Sequence, residues 1–186
     1  MTALVVIIAL LAVAAVIAYV LLEKRPGYGV YYGLGKLTGS RLNIGPVDWA
    51  TLTRHATPND ALICPAAHCP HAKPDTEPKV YPVAPGDLLA RLKAVALADA
   101  DVVELSREPN CDRTARFVQY TRLMRYPDTI DVEVMASGEG HSTLAIYSRS
   151  LVGRKDFGVN RARLKRWLAA LNSVRPTQAL TDRTAR

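Results

Sequence analysis

The sequence predicts an α+β protein: an N-terminal transmembrane helix, then one domain with a curved antiparallel sheet and two helices packed on one face. Three observations predict it. Ala3 to Leu22 is a run of twenty uncharged, almost wholly apolar residues. The later periodicities come in the order helix, strands, helix, and such grouping favours an antiparallel sheet over the alternating βαβ pattern of a parallel one. Ile130, Val132 and Val134 alternate with Asp131 and Glu133, the period-two signature of a strand.

The first element, a membrane anchor over 1–25, rests on length. Twenty helical residues rise about 30 Å, one hydrocarbon thickness. A cleaved signal would need a basic n-region, a shorter apolar core and a small-x-small cleavage site. Only Met1 and Thr2 precede the run, and Val20, Leu21 and Leu22 are bulky where small residues would be required.

Residues 26–46 read as a juxtamembrane linker, with six Gly and with Tyr28, Tyr31 and Tyr32 at headgroup level. Its G-x-G spacings, Gly27–Gly29 and Gly33–Gly35, do not make a nucleotide site, which needs a strand before and a helix after. A packing surface for another membrane subunit is the alternative.

A single α+β domain is expected over 47–175. Its first part is an irregular segment, because Pro58, Pro65, Pro70, Pro74 and Pro78 prevent a long helix or a central strand. Trp49 and Leu52 are its anchors to the core. Pro85 suits a helix first turn, and Leu88, Leu89, Leu92, Val95 and Ala96 give a helix over roughly 86–98. Asp99, Ala100 and Asp101 break it. Strands follow at 102–105, 116–122, 130–135 and 142–149, with turns at Pro109, Asn110 and Asp112 and at Ser137 to Gly140. Asp131 and Glu133 are assigned to a solvent face, opposite Arg149 or Arg116. The final helix runs from Asn160 or Arg161 to Leu171, with Asn160 as N-cap and Leu164, Trp167, Leu168 and Leu171 buried. Residues 176–186 are expected to be a flexible basic tail.

Charge is concentrated at the C-terminal end. The formal net charge is +7; Arg149 to Arg186 holds ten Arg or Lys against two Asp, a net of +8, so everything before it sums to −1. Such a run is either a solvated helix face or a contact for an anionic partner, foremost lipid headgroups beside the anchor. Nucleic acid is excluded as a partner: aromatics are few among those charges and no binding motif is visible.

Two signals oppose one another on the side of the membrane. Lys24, Arg25, Lys36 and Arg41 after the apolar run favour a cytoplasmic domain. Cys64 and Cys69, in the Pro-bracketed CPAAHCP, form a close pair of the kind often found as a disulfide, which persists in oxidising compartments. The same segment also allows a metal reading through Cys64, His68, Cys69 and His71, but four near neighbours rarely surround one ion tetrahedrally. Cys111 is left as a thiol.

TPNDALICPAAHC at Thr57 to Cys69, YPDTIDVEV at Tyr126 to Val134, and STLAIYSRSLVGRKDFGVNRARLKRWLAAL at Ser142 to Leu171 together resemble the bacterial and plastid family catalogued as domain of unknown function 1499. The resemblance extends from about Val47 to Leu171. It implies no established activity. It does imply an exported, envelope-anchored or organellar setting, a Cys64–Cys69 pairing rather than a metal site, and a domain on the outer side of a bacterial inner membrane.

The densest polar constellation is Arg149, Arg154, Asp156, Asn160 and Arg161, interrupted by Gly153 and Gly158, with Asp128 after Pro127 as an outlying member. Arginines clamp carboxylates or phosphates with two donors, and a helix N-terminus offers free N–H groups, so an anion site is one reading. A structural loop needs the same residue types. No catalytic residue, metal or cofactor is assigned: His141 and Ser142 are strand neighbours pointing to opposite faces. The function expected is a membrane-tethered, non-enzymatic accessory or binding module of the bacterial envelope. Its partners would be lipid through the helix and a membrane-protein complex or an apolar ligand held between sheet and helix. The rival is a small hydrolase or transferase acting on an anionic substrate at the Arg149 to Arg161 loop.

Overall fold

A computed structural model describes residues 2–23, 46–54, 57–105, 112–121, 126–151 and 155–173. The expected linker up to residue 45, the Pro109–Asn110 turn, Cys111, Arg154 and the basic tail lie outside the described residues. Helix α1 is Thr2–Glu23. Strand β1 (Asp60–Ile63) precedes helix α2 (Pro85–Ala98), and strands β2 (Val102–Glu104), β3 (Thr114–Tyr120), β4 (Pro127–Ala136) and β5 (Ser142–Ser150) lead to helix α3 (Val159–Ser173). All pairings are antiparallel, in the order β1-β5-β4-β3-β2. The α+β class and the antiparallel sheet are as expected.

Among the described residues no helix is long and apolar enough to cross a membrane. The expected transmembrane span Ala3–Leu22 is therefore not shown by α1. The side chains of its residues 4–18 are all exposed.

The Pro-rich segment is not loop throughout. Asp60–Ile63 forms a strand between Pro58 and Pro65, and it runs along the sheet edge, pairing Asp60 with Arg149 and Ile63 with Ile146. Proline flanks are compatible with a short edge strand, whose outer N–H groups need no ladder partner. The turn Ser137–Gly140 forms as read, with Gly138 and Gly140 at φ 101° and 67°, conformations only glycine adopts without strain.

One sheet face carries α2 and α3. Leu88, Leu92 and Ala96 from α2 and Leu164, Trp167 and Leu171 from α3 meet Phe117, Ile130, Val132, Val134, Leu144 and Ile146 in one cluster. Trp167 packs edge-on against Phe117, ring centroids 5.8 Å apart. Each of the Leu, Ile, Val and Phe side chains among them contributes about 1.5–3 kcal/mol by leaving water. These side chains fill the space between sheet and helices where the apolar ligand was expected: Phe117, Leu144 and Ile146 are 0% exposed and Trp167 1%.

The opposite face is also covered. Trp49, Leu52, Leu62, Cys64, Cys69 and Ala72 pack on Ala145 and Tyr147. The irregular segment is thus a third layer, and Trp49 and Leu52 pin it as expected. This overturns the solvent face assigned to Asp131 and Glu133: Asp131 is 3% exposed, and Glu133 meets His68 of the cover, Nε2 to Oε2 at 3.1 Å.

The N-cap also differs. Asn160 lies inside the first turn of α3, and Asp156 closes the helix start, its carboxylate accepting from Gly158 N at 2.9 Å and from Asn160 N at 3.0 Å. Asp at this point satisfies free N–H groups and complements the helix dipole.

Candidate functional site

The polar residues singled out by sequence separate onto the two sheet faces. On the helix face, β4 supplies Asp128, β5 supplies Ser148 and α3 supplies Asn160; the residue that joins them is Arg163. Its Nη2 donates to Asp128 Oδ2 at 2.7 Å, and its Nη1 donates to Ser148 Oγ at 2.6 Å and Asn160 Oδ1 at 2.5 Å. Its Nε donates to Gln119 Oε1. Asn160 continues the network by donating to Asn59 O and Ser150 Oγ, both at 3.0 Å. Asp128, Ser148, Asn160 and Arg163 are at most 2% exposed. This hub fastens α3 to the sheet and to the start of β1, and no ligand can reach it without opening the core.

Arg163 is the residue that sequence reading missed. Counted only as surface charge, it sits at i+3 from Asn160 and i−4 from Trp167, on the same stripe as Leu164 and Leu171. Extending the apolar stripe of α3 backwards would have placed both Asn160 and Arg163 inside.

On the cover face the charges form a relay. Arg116 Nε donates to Asp131 Oδ1 at 2.5 Å, and Arg149 Nη2 lies 3.7 Å from Asp131 Oδ2. Arg149 also stacks over the Tyr147 ring at 5.4 Å. Burial pushes the Asp131 carboxyl up, against the pull of Arg116 and Arg149. Tyr147 OH donates to Asp60 Oδ2 at 2.6 Å; burial first, and then this bond, push the phenol well above its ordinary range. Arg54 donates to Asp60 and to Lys73 O, and reaches Asp75 at 3.1 Å. Asp75 accepts from Leu62 N at 2.8 Å and pairs with Arg161 at 2.8 Å. Asp75 therefore ties the cover segment, the edge strand and α3 together.

Arg149 and Asn160 consequently face opposite sides of the sheet, Arg161 lies at the edge, and Asp156 caps the helix. Among the described members of the expected anion site, Asp128, Arg149, Asp156, Asn160 and Arg161, no single cluster forms: Arg149 on β5 faces the cover, as its neighbour Ser148 faces the helices, and Asn160 is drawn into the buried hub with Ser148 and Asp128 through Arg163. The Cys64–Cys69 disulfide is formed, with the Cα atoms 6.4 Å apart, so neither sulfur is a thiolate ligand. Among the described residues no group of three or more His, Cys, Asp or Glu is placed to hold a metal ion. His141 Nδ1 meets Glu139 O at 2.7 Å while Ser142 Oγ donates to Val83 O at 2.7 Å, so this pair is not a nucleophile and base.

Access exists at the sheet edge. An open cleft of about 540 Å³ is lined by Thr53, Arg54, His71, Ala72, Lys73, Pro74 and Asp75. A smaller one of about 170 Å³, sharing Asp75, lies among Ala61, Ile63, Thr76, Arg161, Leu164 and Lys165. Arg54, Lys73, Arg161 and Lys165 outnumber Asp75, so this edge suits an anionic group. Among the described residues, Arg161 is the one sequence candidate that lines it.

Residues 51–171 match the family model described as Protein of unknown function (DUF1499), which covers more than half of the chain. No curated protein matches the chain.

Proposed function

The chain belongs to the DUF1499 family, whose function is unknown, and from that premise we propose that it is a membrane-tethered, non-enzymatic binding module of the bacterial envelope. The observation that carries the reading is α1. From Leu4 to Ile17 its large apolar side chains are more than half exposed on every side. A helix apolar all round is stable only when buried, in a core or in a bilayer. Thr2 to Leu22 holds no charged residue, the composition expected of a single-pass anchor.

An outward-facing domain is supported by the Cys64–Cys69 disulfide, since such bonds persist in oxidising compartments. A binding role rather than turnover is supported by the buried hub of Asp128, Ser148, Asn160 and Arg163, whose polar groups hold one another and stitch layers together. With the core filled, the surface for a partner is the basic edge around Asp75, suited to an acidic protein segment or a lipid headgroup.

The test is labelling of intact spheroplasts with a membrane-impermeant maleimide, alongside carbonate extraction. A chain that resists extraction, with Cys64 and Cys69 labelled only after reduction, is the expected result. Extraction into the soluble fraction would refute the tether. Labelling of both cysteines only after lysis would refute the outward orientation.

A further inference from the structure

We infer that the corner preceding α3 is a second membrane contact, in which Phe157 inserts at the headgroup level of an anionic bilayer while the basic outer face of α3 lies against the phosphates.

Phe157 is 94% exposed, whereas aromatic side chains ordinarily carry the largest share of buried apolar area. Its backbone is in the left-handed region at φ 53°, which a bulky residue rarely adopts. The corner is also held rigidly. Gly158 follows at φ 81°, and the Asp156 carboxylate, just before Phe157, takes the N–H groups of Gly158 and Asn160 just after it. The ring is therefore presented outward by a fixed turn. Val159, 45% exposed, adds apolar surface beside it.

The surroundings say what covers it. Lys155, Arg161, Lys165 and Arg166 are exposed around the corner and along the outer face of α3, four positive charges against Asp156 and against Asp75 and Asp99, the partners of Arg161 and Arg166. Arg161 and Arg166 give one nitrogen each to Asp75 and Asp99 yet stay 61% and 56% exposed, leaving other N–H groups for a second partner. An apolar ring projecting from a basic rim complements a bilayer with anionic lipids: Phe beside Lys and Arg buries at the headgroup–acyl boundary, and each nearby basic residue adds attraction. A docked domain would be oriented on the surface rather than swinging on its tether. This rests on the tethered reading above only in that an anchor keeps the corner close to lipid.

The full chain is reconstituted in vesicles carrying brominated acyl chains, with phosphatidylglycerol present or with phosphatidylcholine alone. Phe157→Trp supplies the probe, read as the difference from the unsubstituted chain, whose Trp49 and Trp167 are 8% and 1% exposed. At this exposure the substitution leaves thermal unfolding unchanged, which is checked first. The indole is expected to emit at shorter wavelength and to be quenched in the phosphatidylglycerol vesicles. Quenching should fall in phosphatidylcholine, with Lys155→Glu plus Lys165→Glu, and in salt near 1 M, where the screening length shrinks from about 10 Å to about 3 Å. An indole that keeps its aqueous spectrum, or is quenched equally in both lipids, overturns the assignment. So does one that shifts without quenching, which marks a protein-covered surface. Flotation and carbonate extraction separate the two readings: a chain that stays in vesicles with a wet indole refutes the corner alone. If instead the chain fails to insert, the tether is refuted, and quenching on vesicles added from outside still decides the corner.

Discussion

Replacing Arg163 with Met tests the reading of the buried hub most directly. The substitution keeps the apolar stem and removes the guanidinium, which donates to Asp128, Ser148, Asn160 and Gln119. Asp128, 2% exposed, is then a buried carboxylate without its cation, and removing one partner of a buried pair costs about 3–5 kcal/mol. With each kcal/mol moving the midpoint of a domain this size by about 4 °C, thermal unfolding should fall by about 12–20 °C. Tryptophan fluorescence is the suitable probe, because Trp167 lies one turn from position 163 and reports the domain rather than α1. Asp128→Asn in the Arg163→Met background removes the stranded charge and should recover part of the loss, a coupling of the sign seen for groups in one network. A single substitution costing less than about 1 kcal/mol, the range of exposed pairs, would refute the claim that this hub fastens α3 to the sheet.

Cys64→Ser with Cys69→Ser opens a loop of a few residues, so chain entropy gives a loss of about 2 kcal/mol, read as a lower urea midpoint that reductant reproduces in the unsubstituted chain. Trp167→Ala removes the ring packed on Phe117 and should cost about 3–5 kcal/mol, measurable in the same transition. Partial burial works to raise the Asp99 pKa, but bonds from Trp167 and Arg166 outweigh it and hold the carboxyl below its ordinary 3.8. Its contribution is therefore complete above that value and is lost as pH falls through the lower folded value. Asp99→Asn should flatten the acid limb of the stability profile, and an unchanged limb would refute the assignment. Tyr147→Phe removes the bond to Asp60 and is expected to cost about 1 kcal/mol, read by urea unfolding.

Much of the fold was legible in the residues. The stripe of Leu88, Leu89, Leu92 and Ala96 and the alternation of Ile130, Val132 and Val134 each report which side chains share a face. Strand β1 was illegible because four residues between prolines carry too little period to count, and its pairing with β5 joins residues some ninety positions apart. The candidate site was legible in its members and not in its arrangement. Asp128, Asn160, Arg149 and Arg161 do make the polar contacts that hold this end of the domain together, yet no rule of spacing divides them between a buried hub, a relay on the other face and an open edge.

By itself the sequence determined the types of the regular elements other than β1, the apolar N-terminal helix, the basic C-terminal end and the proximity of Cys64 to Cys69, because all of these are local properties of composition and period. Tertiary structure decided what lies on each face. Alternation separates Asp131 from Ile130 but does not say whether water or protein covers it; the aperiodic Trp49 to Ala72 segment covers it, through contacts distant in the chain. The same non-local packing turned Arg163 from a surface charge into the centre of the domain's polar hub, and left Phe157, which composition alone would bury, facing outward.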